Sequence, residues 1–198
     1  MSIIRKSLLP AIMMTLLLTI ITGLIYPGIV TAFAQAIFPY QANGSLQYVN
    51  GKLVGSDLIG QEWTSPLYFH GRPSATLSDD GSKPQPYNAE NSSASNLGPT
   101  NATLIKTVQQ RVKELQKENP GVPVPVDLVT SSGSGLDPDI SPTGALFQVP
   151  RIAHARNLSQ ETVRQLVMDH IQGRLLGVFG EPYVNVLNIN LALDALKK

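Results

Sequence analysis

A long uncharged stretch near the N-terminus constrains this chain more than any other feature of its sequence. After Lys6, no charged residue occurs until Lys52, and residues 8–25 are apolar apart from Thr, Gly and Pro. About 20 helical residues cross the roughly 30 Å hydrocarbon core of a membrane, where backbone groups must bond within the helix. The sequence therefore predicts one membrane-spanning helix over residues 7–27, followed by a connecting segment over residues 28–42.

A cleaved secretory signal is the alternative interpretation of this stretch. Arg5 and Lys6 provide its positive region, and Ala32-Phe33-Ala34 has the small-x-small pattern of a cleavage site. The apolar part of a signal usually has about 7 to 15 residues, and this one is longer, which favours the anchor. In both interpretations the positive charges precede the helix. The positive-inside rule then predicts that residues 1–6 are cytoplasmic and that the rest of the chain lies outside.

The remainder of the chain has the composition of one globular domain. Two of the 15 Lys and Arg residues precede the apolar helix, so 13 stand against 14 Asp and Glu residues. This near-neutral balance excludes the basic footprint of a nucleic-acid-binding protein. The chain has no cysteine, which excludes thiol catalysis, cysteine-bound zinc and disulfides. Residues 43–198 are long enough to bury one hydrophobic core.

Strand and helix patterns both occur in this domain. Asn50-Gly51, between two β-prone runs, predicts a hairpin. Apolar residues at helical spacing predict an amphipathic helix within residues 100–119, and the last segment, residues 183–198, begins as an alternating strand and ends as a helix. Residues 77–100 lack any periodicity, so we expect a surface segment that becomes ordered against a partner.

Two further helices are predicted from their first residues. Ser141 is a suitable N-cap with proline after it, although Pro150 is expected to bend or divide that helix. Ser159 caps the second, whose apolar face ends before Gly173. The fold class expected from these elements is α+β, or α/β, with few strands.

The loop "SSGSGLDPDISPTG", residues 131–144, is the most suggestive candidate for chemistry. Asp137, Asp139 and Ser141 match alternate positions of a calcium loop, but Pro142 replaces the required glycine and Gln148 the closing glutamate. The spacing therefore argues against calcium. Phosphate-loop and serine-nucleophile motifs are also missing from the sequence.

The three histidines do not assemble a site either. His170 falls on the apolar face of its predicted helix, where a histidine bonded to the backbone is the simplest interpretation. His154 lies between Arg151 and Arg156, whose charges disfavour a protonated base. His70 is a candidate for a contact surface. We therefore expect no catalytic residue, no metal and no cofactor bound by this chain.

Six stretches occur in order behind the single N-terminal helix and extend over essentially the full length. They are "GSDLIGQEW" (55–63), "YFHGRPSAT" (68–76), "SNLGPTN" (95–101), "PVDLVTSSGSGLDPDISP" (125–142), "RIAHARNL" (151–158) and "VNVLNINLALDAL" (184–196). Together these stretches resemble the C subunit of the bacterial Kdp potassium-transporting ATPase, the KdpC family.

The resemblance implies a non-catalytic accessory subunit in the bacterial plasma (inner) membrane. It also implies partners: a channel-like potassium-binding subunit, a P-type ATPase subunit that uses ATP and Mg²⁺, and a small stabilising subunit. The alternative from another class is an anchored or secreted ligand-binding protein or hydrolase.

We predict Arg72, Asn96 and Asp137 as partner-interface residues, and an internal hydrogen-bonding role is the alternative for each. The loop over residues 131–144 is expected to be a shaped, ordered contact or scaffold loop, with a turn that merely links two core elements as its alternative. In this loop Gly133 and Gly135 are expected to adopt conformations that other residues avoid, and Asp137 or Ser141 to cap the following helix.

Overall fold

The computed structural model describes residues 2–196. Outside the described residues lie Met1, which belongs to the predicted cytoplasmic segment 1–6, and Lys197 and Lys198, which end the predicted segment 183–198. The chain divides into two compact units, an N-terminal helical unit up to Leu46 and a larger unit from Gln47, which we call the outer domain after the side of the membrane predicted for it.

The N-terminal unit contains the predicted membrane anchor. From Lys6 to Ile37 the chain forms one continuous helix that is long and apolar enough to cross a membrane, and its most apolar stretch has no buried side chain. The helix therefore continues beyond residue 27 into the predicted connecting segment. Its parts are α1 (Ser2–Ile20), a π-helical turn (Ile21–Ile25) and α2 (Tyr26–Ile37), and a short α3 (Pro39–Ala42) follows.

The π-helical turn explains how Pro27 is accommodated within this long helix. Proline has no N–H and its ring crowds the carbonyl four residues earlier, which in this chain is that of Gly23. Pro27 occupies the first turn of α2, and Ile21–Ile25 immediately precedes it. The wider π geometry therefore lies where the regular α pattern is obstructed.

The outer domain is mixed α and β, as predicted, with most of its residues in helices or loops. Asn50 and Gly51, with φ of 52° and 77°, form the predicted hairpin turn. The two described sheets each have two strands, β1 with β2 and β3 antiparallel to β4. The elements are β1 (Leu46–Val49), β2 (Lys52–Ser56), α4 (Ala102–Glu118), β3 (Asp139–Ile140), α5 (Pro142–Arg156), α6 (Gln160–Asp169), β4 (Val184–Asn185) and α7 (Val186–Ala195).

The helix starts follow the sequence closely. The Ser141 hydroxyl accepts a hydrogen bond from the N–H of Gly144 at the start of α5, and the Ser159 hydroxyl does the same for Thr162 in α6. Pro150 was expected to bend or divide α5; it does not divide the helix, which is continuous through it, and the bend stays a prediction. The missing hydrogen bond is tolerated in a helix whose neighbouring side chains are fixed in the core.

The final segment is more helical than its alternating pattern predicts. Only Val184–Asn185 is a strand, and α7 begins directly after it. The side chain of Asn185 accepts a hydrogen bond from the N–H of Asn188, which is an N-cap, so the helix starts earlier than the alternation indicates.

The core lies where α5, α6 and α7 pack together. Its fully buried side chains include Ile152, Val163, Val167, Ile189 and Leu193. Helix α4 has no fully buried residue, and its Leu115 only packs against the edge of this core. The predicted apolar stripe of α4 is therefore a half-covered face.

Candidate interaction site

Two buried amides fix the extended segment that leads to Arg72. Asn190 bonds both backbone groups of Phe69: its Oδ1 accepts from the N–H at 2.8 Å and its Nδ2 donates to the carbonyl at 3.0 Å. Gln148 holds both backbone groups of His70 in the same way. Phe69 has no strand neighbour, so these side chains supply the hydrogen bonds that a sheet would otherwise give.

The loop over residues 131–139 is held by hydrogen bonds on several sides. The carbonyl of Gly135 accepts from the Ser74 hydroxyl at 2.7 Å, and the carbonyl of Ser134 accepts from the N–H of Ser93 at 3.0 Å. Leu136 accepts from the N–H of Gly60 at 2.8 Å. The loop thus connects three separate parts of the outer domain, which is the scaffold role that we expected as one of its two alternatives.

Arg72 and Asp137 meet in this region. Arg72 Nη1 donates to Asp137 Oδ2 at 3.0 Å, and Nη2 donates to the carbonyl of Ser131 at 3.4 Å. The Nε of Arg72 is buried and has no hydrogen-bond partner among the described residues. Both side chains of the pair remain partly exposed, so a binding partner is able to reach them.

Tyr87 anchors residues 77–100 to the same place. Its hydroxyl donates to the carbonyl of Arg72 at 2.7 Å, and its N–H donates to the Ser74 hydroxyl. The side chain lies so close to two glycines that an added Cβ would come within 2.4 Å of the ring at Gly60 and within 2.6 Å of the hydroxyl oxygen at Gly71. Burial and the charge of Asp137 raise the pKa of Tyr87 to about 12, so it is a neutral structural donor.

A shallow pocket of about 330 Å³ opens beside the Arg72–Asp137 pair. Asp139 lies in its wall and accepts from Asn185 Nδ2 at 3.0 Å. Burial raises the pKa of the Asp139 carboxyl to about 6, and the nearby charges of Asp137 and Asp57 add to the shift. The pocket therefore combines one guanidinium with several carboxylates.

A second cleft, of about 390 Å³, also borders Arg72 and includes His70, Arg111 and Glu118. Two of its charged groups are used internally: Arg111 donates to the carbonyl of Val129 at 3.0 Å, and Glu118 pairs with Arg151 at 3.1 Å. Burial, followed by the Arg151 charge, lowers the pKa of His70. Among residues 2–196, no three His, Cys, Asp or Glu side chains are grouped so that they would hold a metal ion.

The structure brings two of the three predicted interface residues together. Arg72 and Asp137 form the ion pair, whereas Asn96 lies on an exposed loop at φ 52° and its Nδ2 donates to the carbonyl of Ala94. Their role in binding a partner stays a prediction. His170 Nδ1 lies 2.8 Å from the carbonyl of Leu166, as expected for a histidine bonded to the backbone, and His154 is exposed.

Two smaller expectations about the loop are resolved differently. Gly135 has φ 69°, but Gly133 is outside the left-handed region, so the expectation for Gly133 is wrong. Ser141 caps α5, while Asp137 instead accepts from the N–H of Asp139. Residues 77–100, which were expected to become ordered against a partner, are held to the domain by hydrogen bonds of Asn88 and Tyr87. Their contact with a partner stays a prediction.

One prominent surface feature was not predicted from the sequence: a hairpin over residues 172–183 with an apolar tip. The signal was present: "GRLLGVFGE" places four large apolar residues among three glycines, and two of those glycines suit turns. The segment is too short and too glycine-rich for a core helix, and its apolar residues have no polar alternation.

Comparison with known proteins gives a consistent result over the full length. The family described as KdpC, K⁺-transporting ATPase, c chain, matches residues 8–195. A potassium-transporting ATPase KdpC subunit from Rhodopseudomonas palustris (strain BisB18) is 60% identical over 197 residues, covering 97% of this chain and 99% of the relative. The corresponding subunit from Methylobacterium nodulans is 58% identical over 196 residues, covering 96% and 98%.

Proposed function

The chain belongs to the KdpC family of K⁺-transporting ATPase subunits, and from this premise we propose that it is an accessory subunit without catalytic activity of its own. It supports the assembly and activity of a channel-like potassium-binding subunit and a P-type ATPase subunit, together with a small stabilising subunit. ATP, Mg²⁺ and K⁺ then act in the complex rather than at a site in this chain.

The exposed apolar helix Lys6–Ile37 is the observation that supports this proposal most directly. None of the side chains in its most apolar stretch is buried by the rest of the chain. Such a surface needs lipid or other membrane helices to cover it. We infer that the helix packs on the transport subunits, and that its covalent continuation into the outer domain keeps that domain at the complex.

The orientation proposed for this anchor places the outer domain on the extracytoplasmic side of the inner membrane. The positive charges at Arg5 and Lys6 precede the helix, which is the arrangement that retains an N-terminus in the cytoplasm. ATP is cytoplasmic, so any effect of this subunit on nucleotide affinity is transmitted by coupling between states of the complex.

Because the chain has no cysteine, Ser95→Cys gives a single exposed thiol. Its labelling by a membrane-impermeant maleimide in whole cells would support the orientation, and protection until lysis would contradict it.

Affinity purification tests the subunit role itself. The full chain with a tag after Lys198 is isolated from gently solubilised membranes, its partners are identified, and potassium-stimulated ATPase activity is assayed with and without the chain. Recovery of the two large subunits, with activity lost in its absence, would support the proposal. A control lacking residues 2–46 and exported by a cleavable signal should recover less of both. Isolation of the chain alone, with full ATPase activity in membranes that lack it, would contradict the proposal.

A further inference from the structure

The hairpin over residues 172–183, which we call the apolar hairpin, is well ordered by its own bonds. Gln172 pairs with Tyr183 and Leu175 with Phe179, each through two backbone hydrogen bonds of 2.8–3.0 Å. Between these pairs, Arg174 Nη2 lies 2.7 Å from Glu181 Oε2 and joins the two arms. The hairpin is therefore a preformed projection rather than a loose loop.

Its tip presents apolar side chains to solvent. Leu175, Leu176, Val178 and Phe179 are 70%, 83%, 70% and 63% exposed, and no charged residue lies between Arg174 and Glu181. Single exposed apolar residues are ordinary, but four adjacent ones of this size form a patch of the kind that marks an interaction site.

The backbone at the tip contains a leucine at a turn position that favours other residues. Leu176 and Gly177 have φ of 53° and 74°, as in a type I′ turn, in which asparagine and glycine are the favoured residues. A leucine at positive φ is strained. Since Leu176 is also the most exposed residue of the tip, packing within the domain does not compensate for that strain. A contact outside the domain would do so.

Resting on the function proposed above, we propose that the apolar hairpin inserts into an apolar groove on another subunit of the potassium-transporting complex. Leu176, Val178 and Phe179 are the anchoring side chains. A buried cluster of a few aliphatic and aromatic residues provides most of the binding energy in many interfaces, and a hairpin that is ordered beforehand loses little conformational freedom on docking.

The charges on the hairpin favour a protein groove over a lipid surface. Arg174 is paired with Glu181, so the hairpin offers no unpaired positive charge to anionic headgroups. Residues 175–180 also contain no Trp, Tyr, Lys or Arg, which are the residues that usually position a segment at a membrane interface.

Paired substitutions in the full complex test the proposal. Leu176→Asn and Val178→Ser, together, are expected to weaken retention of the large subunits by about tenfold or more. Val126→Ser is the matched control, because Val126 is 71% exposed and lies away from the hairpin in sequence; it should retain the subunits as the unsubstituted chain does. Leu176→Asn should not lower the thermal unfolding midpoint, since asparagine tolerates positive φ, and so weaker retention reports lost contact rather than misfolding.

A cysteine probe identifies what covers the tip. Val178→Cys and the control Val126→Cys each place one small thiol in a chain without other cysteines, and both are treated with a water-soluble maleimide. We expect the thiol of Val178→Cys to react quickly in the isolated chain in vesicles and at least about tenfold more slowly in the complex. The thiol of the control Val126→Cys should react quickly in both. Slow reaction in vesicles without partner subunits would identify lipid, and a disulfide between two copies would identify self-association; either outcome overturns the proposal.

The two proposals fail in different ways. If the unsubstituted chain recovers the large subunits and the doubly substituted hairpin recovers them equally well, the hairpin proposal is wrong and the subunit role stands. If the unsubstituted chain recovers neither subunit, the subunit role itself is wrong, and the hairpin proposal fails with it.

Discussion

Arg72 and Asp137, which are 65 residues apart in the sequence, are joined by a hydrogen-bonded ion pair of 3.0 Å. The pair closes the loop over residues 131–139 onto the segment that Asn190 and Gln148 hold in place. Both residues were predicted as contacts for a partner, with an internal hydrogen-bonding role as the alternative. The structure shows the internal role, and the partner contact stays a prediction. Their side chains are partly exposed, so the two roles are compatible.

A double-mutant cycle separates those roles. Arg72→Ala and Asp137→Ala should each lower the stability of the protein, with a coupling energy of only about 1 kcal/mol because solvent screens a partly exposed pair. Chemical denaturation of the single and double variants measures this coupling. If Asp137 also contacts a partner, Asp137→Ala lowers complex yield or potassium uptake more than its stability loss explains. Normal yield together with normal transport would remove Asp137 from the interface.

Gly60 is expected to tolerate no side chain. A Cβ there would lie 2.4 Å from the Tyr87 ring and 2.7 Å from the carbonyl oxygen of Asp137, so Gly60→Ala should destabilise the protein by about 2 kcal/mol. Gly133→Ala is the matched control, since it has no atom within 4 Å of the added Cβ and should stay within about 0.5 kcal/mol. Equal unfolding midpoints for the two variants would show that Tyr87 moves aside at little cost.

Asp139 gives a prediction with a definite pH direction. Burial raises its folded-state pKa to about 6 from the ordinary value of 3.8, so between these values the folded protein binds more protons than the unfolded chain. Its contribution therefore makes stability fall as pH rises from about 4 to 6. Asp139→Asn keeps an oxygen for Asn185 and removes the charge. As pH rises from 4 to 7, the free energy of unfolding of the variant should increase by about 1 kcal/mol relative to that of the unsubstituted protein, after allowance for solvent screening.

Denaturation of both proteins across that pH range checks the sign. A constant difference between the two curves would mean that the Asp139 carboxyl keeps its ordinary pKa when folded. A difference that shrinks with rising pH would mean that its pKa is lowered instead.

Asn190 should be among the least replaceable polar residues of the domain. Asn190→Ala leaves the buried N–H and carbonyl of Phe69 without their partners, which we expect to cost about 3 kcal/mol. Asn188→Ala, in the same helix at a half-buried position, should cost less than about 1 kcal/mol. Thermal unfolding of the two variants makes the comparison, and similar midpoints would show that water replaces the amide at Phe69.

Local structure was predicted well wherever adjacent residues decide it. The hairpin at Asn50-Gly51 and the helix caps at Ser141 and Ser159 are present as expected, because a turn or a cap depends on a few neighbouring residues. The strand predicted in residues 183–198 was too long, since a cap at Asn185 starts a helix within an alternating pattern.

The candidate site was predicted only in part, because the residues that contact each other in it are far apart in the sequence. Nothing in the neighbourhood of Arg72 or Asp137 indicates that they pair, and nothing near Tyr87 indicates that its ring packs against Gly60 and its hydroxyl against Gly71. The apolar hairpin was missed because apolar residues between turn glycines do not show by themselves whether they are buried, and only the fold shows that they are exposed.

The sequence by itself determined the membrane anchor, the α+β character of the outer domain and the family, because each follows from composition, short-range spacing or an ordered set of motifs. The tertiary structure decided which polar groups hold the loops together, that Arg72 and Asp137 form a pair, and that an apolar tip projects from the surface. Burial and long-range hydrogen bonds exist only after the core of α5, α6 and α7 has brought distant segments together, so no local pattern specifies them.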